Sequence, residues 1–235
     1  MKGKLHMQNR IESDSIGSRE VPVDAYYGVQ SLRGSENFKI TGLRLRKEFI
    51  ESLAEVKKAC AISNHAVGEL DGRITTAICT ACDEILEGKF HDPFICDPIQ
   101  GGAGTSMNMN ANEVIANRAI EILGGKKGDY TIVHPNDHVN MAQSTNDVIP
   151  TAGKMTALRL LDRLIRELER LLAALHGKSA EFDDVIKMGR TQMQDAVPIR
   201  LGQEFRAYAD AIRREIGRVE KAIDEMRPLS ANQSA

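Results

Sequence analysis

At 235 residues the chain can bury a sizeable core, as one large domain or two small ones. Hydrophobic side chains make up 42% of it and charged ones 27%, the latter spread through segments of helical period, which excludes intrinsic disorder as its main character. Basic side chains number 31 against 33 acidic ones, so a net charge of −2 points to neither nucleic acid nor an anionic membrane as partner, and an anionic ligand must be held by local groups.

Met1 to Glu12 is polar where a secretory signal would be apolar, and no apolar run approaches the ~18 residues that span a bilayer, so the expected location is cytoplasmic. From Ile16 to Asn37, Gly, Pro and aromatic residues mix without helical period, which predicts loops with room for a short hairpin. Small and aliphatic residues then recur at three and four positions over Lys47 to Gly68 and Arg73 to Glu87, two helices punctuated by Gly68, Gly72 and Gly88. Cys60, Cys79, Cys82 and Cys96 lie in this region and just beyond it. Only Cys79 and Cys82 form a CxxC, and with no second pair and no HxxxH they read as reduced core thiols on one helix face rather than a zinc or redox site. No metal and no cofactor is expected.

Two prolines and three glycines in HDPFICDPIQGGAG forbid regular structure, after which Ser106 to Leu123 reads as a helix stopped by Gly124 and Gly125. Leu158, Leu161, Ile165, Leu168, Leu172 and Leu175 step by three and four until His176 and Gly177, a long amphipathic helix. A second begins after Pro198 and carries Leu201, Phe205, Tyr208, Ile212, Ile216, Val219, Ile223 and Met226. Two such stripes do not cover each other fully, so a bundle completed by more chain or by other subunits is expected, the alternative being a self-contained helical hairpin. The polar tail 229–235 is expected to be disordered.

Three segments depart from what packing demands. In GGAGTSMNMNANEVIANRA, Thr105 and Ser106 sit where a capping hydroxyl and unpaired helix amides can meet an anion. Asn108, Asn112, Glu113 and Asn117 occupy helical spacing beyond them and serve either a site or a polar network between helices. In HPNDHVNMAQSTNDVIPTA, Ser144, Thr145, Asn146 and Asp147 supply compact hydrogen-bonding groups suited to a small carboxylate, while His134 and His138 are either acid/base groups or ordinary loop histidines. In KMGRTQMQDAVPIRLGQEF, Arg190, Thr191 and Gln192 occupy a turn leading into the second long helix, and Arg190 pairs either with a ligand carboxylate or with Asp195. Minimum motifs for α/β-hydrolase, P-loop, zinc-protease and dinucleotide sites are missing.

In order and spacing these three segments, preceded by REVPVDAYYGVQ, resemble the class II fumarase/aspartase superfamily over residues 12 to 227. The resemblance implies a mainly α fold: an N-terminal helical domain (1–142) with a small hairpin or loop region, then the first long helices of a central bundle (143–228), truncated at the C-terminus. It also implies a homotetramer whose active sites combine three subunits and whose ligand is a small dicarboxylate. The wording GGAGTS with QSTND looks like the aspartase branch, which implies an aspartate ammonia-lyase activity, L-aspartate to fumarate and ammonia. Fumarase, or a non-catalytic assembly subunit, are the alternatives. Thr105, Ser144, Thr145, Asn146 and Thr191 match the carboxylate-holding positions. Gln192 stands where many members carry histidine, and a neutral amide shuttles no proton. His134, Asn136 and Asp137 match a second dicarboxylate site of fumarases. The family's GSSxMPGKxN loop, with its serine base, occurs nowhere in the sequence, so this chain alone is expected to have little or no turnover.

Overall fold

The computed structural model describes residues 8–228, and the expected disordered tail at 229–235 lies outside them. The chain forms two compact units, divided between Thr156 and Ala157.

The first unit opens with an antiparallel hairpin, β1 (Asn9–Asp14) and β2 (Gly17–Pro22), with Ile11 opposite Glu20. The Arg10 guanidinium fixes the exit from this hairpin: it donates to the carbonyls of Pro22, Val23, Ala25 and Tyr27 at 2.8–3.1 Å and to the Glu12 carboxylate at 2.7 Å. A short helix, α1 (Val29–Asn37), comes next. The sequence predicts loop here, because Val29 and Leu32 with Gly34 between charged residues give no apolar stripe. Helices α2 (Lys47–Ala66) and α3 (Gly72–Leu86) match the expected positions. The Asp71 carboxylate starts α3 by accepting the amides of Arg73 and Ile74 at 2.8 and 3.1 Å, an N-terminal cap.

At the centre lies α4 (Thr105–Ile122), packed by α1, α2, α3 and a single π-helical turn at Pro135–Val139. Its Val114, Ile115 and Ile120 meet Leu53, Ile78, Ile85 and Phe94 in the core, all buried. Burying each such side chain contributes roughly 1.5–3 kcal/mol. Because α4 is buried nearly all round, its polar residues must find partners inside. Glu113 accepts the amides of Gly28, Gln30 and Ser31 at 2.8–3.0 Å and the Ser31 hydroxyl, which makes it the N-terminal anchor of α1. Asn117 joins the Tyr26 carbonyl to the Gly128 amide, and Asn110 joins the Pro93 carbonyl to the Ile95 amide. These residues form a network between chain segments. Of the cysteines, Cys82 and Cys96 are buried and all four are free thiols.

Helix α5 (Thr145–Glu181) begins in the first unit and ends in the second. It is longer than its leucine period at both ends. Pro150 lies inside it, near enough to the start to cost one backbone bond, and Gly177 does not stop it. The second unit continues with β3 (Ile186–Thr191) and β4 (Gln194–Arg200), antiparallel, then α6 (Leu201–Met226). Pro198, expected in the first turn of the last helix, is in β4, and the expected turn around Arg190 is a full hairpin. Phe182 packs on Phe205 with ring centroids 5.6 Å apart, and Ser179 Oγ donates to the Gly202 carbonyl at 2.8 Å. In α6 only Gly202, Ala209, Ile216 and Ile223 are buried, while Leu164 and Leu171 of α5 are exposed. No helix among the described residues is long and apolar enough to cross a membrane.

Candidate functional site

Two helix N-termini meet in the first unit. Gly104 precedes α4 in the left-handed region (φ 90°), and a Cβ there would lie 2.9 Å from the Ile149 side chain, so the GGAG loop presses directly on the first turns of α5. Across the same junction Asn108 Nδ2 lies 3.0 Å from Asn140 Oδ1 and, at the limit of hydrogen bonding, 3.5 Å from Thr145 Oγ1. Gly104, and neither Thr105 nor Ser106, is the capping residue of α4; Gln100 supplies the cap instead, its Oε1 accepting the Met107 amide at 3.0 Å. The exposed Thr105 hydroxyl is thereby not spent on capping.

Ser144 leads α5. Its Oγ accepts the Asn146 amide at 3.2 Å and the Asp147 carboxylate returns to the Ser144 amide at 3.3 Å, a reciprocal arrangement like a capping box. A hydroxyl that accepts in a cap still has its proton to donate outward. Thr145 is half-buried and Asn146 exposed. Thr105, Ser144, Thr145 and Asn146 therefore offer three hydroxyls and an amide at a place where two helix dipoles present their positive ends, which suits a carboxylate.

Behind this run stands a residue that its own sequence context does not single out. Lys57 of α2 is fully buried, and its Nζ donates to Asn140 Oδ1 at 2.7 Å and Gln143 Oε1 at 3.0 Å. Asn140 Nδ2 in turn donates to the Gln143 carbonyl at 3.0 Å. Among the described residues it has no carboxylate partner, and burial brings the amine down from the ordinary lysine range to about 7. The pair Lys57-Lys58 reads as a solvated face; the signal against that is that Lys57 continues the buried stripe of Ile50, Leu53, Ala54 and Ala61. Nearby polar atoms on α4, Asn108 Oδ1 with Asn112 Oδ1 and Nδ2, are buried without a hydrogen-bond partner among the described residues.

In the π-helical turn His134 caps its own segment, Nδ1 accepting the amides of Asn136 and Asp137 at 3.2 and 3.1 Å. That places the proton of the neutral ring on Nε2, and the 3.2 Å approach of Asp137 to Nδ1 is secondary to the two amides. His138 accepts the His134 amide at 2.8 Å, and burial lowers its pKa. Both histidines are thus held by backbone.

Thr191 and Gln192 lie in the second unit, at the tip of the β3–β4 hairpin, and both are exposed. Gln192 and Met193 form a two-residue turn with φ of 48° and 63°, a conformation that β-hairpins usually give to Asn-Gly. Arg190 pairs with Asp195 across the strands. A cavity of about 540 Å³ lies between hairpin β1–β2, α1 and Ser106, lined by Arg19 and Arg33, and includes none of the carboxylate-holding candidates. The two arginines already pair with Glu36 and Asp14. Among the described residues no cluster of His, Cys, Asp and Glu is arranged to hold a metal ion.

A family model described as lyase matches residues 17–235. The aspartate ammonia-lyase of Bacillus subtilis (strain 168) is 55% identical over 226 residues, which cover 96% of this chain and 48% of that protein. The aspartate ammonia-lyase of Helicobacter pylori (strain J99) is 52% identical, with 94% and 48% covered. Among solved structures, the fumarate lyase:delta crystallin from Brucella melitensis in native form matches with a TM-score of 0.90 at 49% identity, over 94% of this chain and 52% of that one. The class II fumarase from Schistosoma mansoni matches with a TM-score of 0.86 at 35% identity, over 94% and 47%. The chain spans about half the length of the curated relatives it matches. With the family match running through all three motif segments, the chain belongs to the lyase family of class II fumarases and aspartases.

Proposed function

We propose that this chain supplies the carboxylate-binding part of an aspartate ammonia-lyase. The observation that carries this reading is the meeting of two helix N-termini bearing Thr105 and the Ser144–Asn146 run, and its support is the 55% identity to an aspartate ammonia-lyase against 35% to a class II fumarase. In this reading a base removes a proton from the carbon beside the β-carboxylate of L-aspartate. The C–H electron pair moves into that carboxylate, giving a doubly negative aci-carboxylate. It then returns to form the double bond of fumarate as the C–N bond breaks and ammonia leaves. Donors already aimed at the β-carboxylate stabilise charge that exists only along this path, and each is worth ~3–4 kcal/mol. Thr105, Ser144, Thr145 and Asn146 fill that role, and Thr191 and Gln192 of the second unit are assigned to carboxylate binding on the family resemblance alone. Gln192 transfers no proton.

The base is not among these residues, and we assign it to the serine of a GSSxMPGKxN loop, a motif missing from this sequence. The apolar stripes of α5 and α6, largely half-buried in this chain, fit further burial in a homotetramer with composite sites. His134, Asn136 and Asp137 form a candidate second dicarboxylate site with Asn136 exposed as donor. A cytoplasmic location without cofactor completes the reading.

The test offers L-aspartate and L-malate separately to the chain, alone and together with a polypeptide that carries the GSSxMPGKxN loop, and follows fumarate by ultraviolet absorbance. Fumarate from aspartate in the combined preparation only is the expected result. Fumarate from malate and not from aspartate replaces the reading with fumarase, and turnover by the chain alone refutes the placement of the base.

A further inference from the structure

We propose that Lys57 is a positioning residue for the Ser144–Asn146 run: from inside the core it clamps the side chains of Asn140 and Gln143, and so sets where the start of α5 presents its hydroxyls. The proposal rests on the reading of that run as a dicarboxylate site.

The geometry is a short chain of contacts. Lys57 Nζ holds Asn140 Oδ1 at 2.7 Å and Gln143 Oε1 at 3.0 Å, one at the end of the π-helical turn and the other directly before Ser144. Gln143 Nε2 donates to the Val139 carbonyl at 2.9 Å, and Asn140 Nδ2 donates to the Gln143 carbonyl at 3.0 Å. The connection between the π turn and α5 is thus closed on itself, with the amine as its hub. Asn108 Nδ2 ties the same Asn140 Oδ1 to α4, so the amine and α4 share one acceptor, and that Nδ2 also lies 3.5 Å from Thr145 Oγ1. A buried amine is costly, and a leucine or methionine would fill the same space in the stripe of α2 without that cost. What an apolar residue cannot do is satisfy the amide oxygens of two half-buried residues in a connection that carries no regular hydrogen-bond ladder.

The charge state of the hub is set by its surroundings. The titratable groups it feels are the thiols of Cys60 on its own helix and Cys82 on α3, whereas the connection after the π turn presents it with the amides of Asn140 and Gln143, the first of which also accepts from Asn108 of α4. Burial leaves the amine close to half-protonated at neutral pH, its pKa being about 7. The ammonium has three protons to place and only two amide acceptors; the neutral amine has two. Deprotonation near neutrality therefore alters the hub without emptying it, and residues positioned by it register the change.

The experiment tracks the isotope-labelled chain by NMR from pH 5.5 to 9.5, as wild type, K57M and K57R, each with and without fumarate as probe. In the wild type the side-chain amides of Asn140 and Gln143 and the backbone amides of Ser144, Thr145 and Asn146 are expected to titrate together, with one midpoint near pH 7 that is lost in both variants. In K57M the amides of residues 144–146 exchange with solvent about five- to tenfold faster, while those of Gly28, Gln30 and Ser31 keep their protection. K57R, whose planar cation stays charged, restores the protection without the titration. If the amides of 144–146 respond neither to pH nor to K57M while Asn140 and Gln143 do, Lys57 is a packing element only and the proposal is overturned. Should K57M lose its fold, the wild-type titration alone decides. Fumarate that shifts no wild-type resonance in the presence of the GSSxMPGKxN polypeptide refutes the dicarboxylate reading, and the common titration then still tests the clamp by itself.

Discussion

Replacing Glu113 by glutamine removes one charge and almost no volume, and the structure gives the size of the effect. One carboxylate oxygen takes the amides of Gly28 and Ser31 together with the Ser31 hydroxyl; the other takes the Gln30 amide at 2.9 Å. All four partners are donors. Glutamine can keep its oxygen toward the group of three, but its NH2 then faces the Gln30 amide, so one charge-assisted bond is lost and a buried donor is turned against another. Burial pushes the Glu113 pKa up and the four donors pull it back, so relief from burying the charge offsets part of the loss. The net cost is about 2–3 kcal/mol, and for a chain of this length that lowers the melting temperature by roughly 5–10 °C. The protein has no tryptophan, and three of its four tyrosines, Tyr26, Tyr27 and Tyr130, lie in the first unit, with Tyr208 exposed on α6, so near-ultraviolet tyrosine ellipticity reports mainly on the unit that Glu113 holds. A melting temperature for E113Q within about 1 °C of wild type would refute the assignment of Glu113 as the anchor of α1.

Three further outcomes are expected. Met193→Gly relieves the left-handed turn at the β3–β4 tip and slows exchange of the Thr191 amide, with a gain of up to about 1 kcal/mol; faster exchange contradicts the strain argument. Gly202→Ala introduces a Cβ that overlaps the Ser179 carbonyl oxygen, so α6 or the end of α5 must move, at a cost of about 3 kcal/mol or more measured by urea unfolding; a loss under about 1 kcal/mol shows that the contact yields freely. Lys57 is less basic folded than unfolded, so below about pH 7 both states are charged and the burial cost is fully present. As pH rises from there, folding releases a proton until the unfolded amine also titrates near ~10.4, and stability should climb by up to about 1.4 kcal/mol per pH unit. Wild type minus K57M, compared at pH 7 and 9, isolates this slope, and a flat difference rules it out.

Helices α5 and α6 are legible in the sequence because their burial is one-sided, and α4, buried nearly all round, because glycines bound it. The leucines from Leu158 to Leu175 and the period from Leu201 to Met226 mark α5 and α6 without help from the rest of the fold. The β3–β4 hairpin is not legible, because its turn is Gln192-Met193 in place of an Asn-Gly signal and Pro198 reads as a helix start. For α4 the polar residues themselves are visible. Their assignment is not, since the partners of Glu113 lie at positions 28–31 and those of Asn117 at 26 and 128. At the candidate site the hydroxyls of Thr105 and Ser144 stand out as residue types, whereas Lys57 acts through Asn140 and Gln143, more than eighty positions away.

Arg10 links the stretch from Pro22 to Tyr27 in a way a strand or helix would not. Four carbonyls, from the last residue of β2 to Tyr27, converge on one planar cation, and the Glu12 carboxylate holds that cation in register. Neighbouring residues in regular structure can fray one at a time; these four are released together or not at all. The segment therefore has the thermodynamics of a knot rather than a zipper. Lysine, with three donors around a single point, cannot tie it, and a chain with lysine at position 10 would keep its charge and lose its shape between the hairpin and α1.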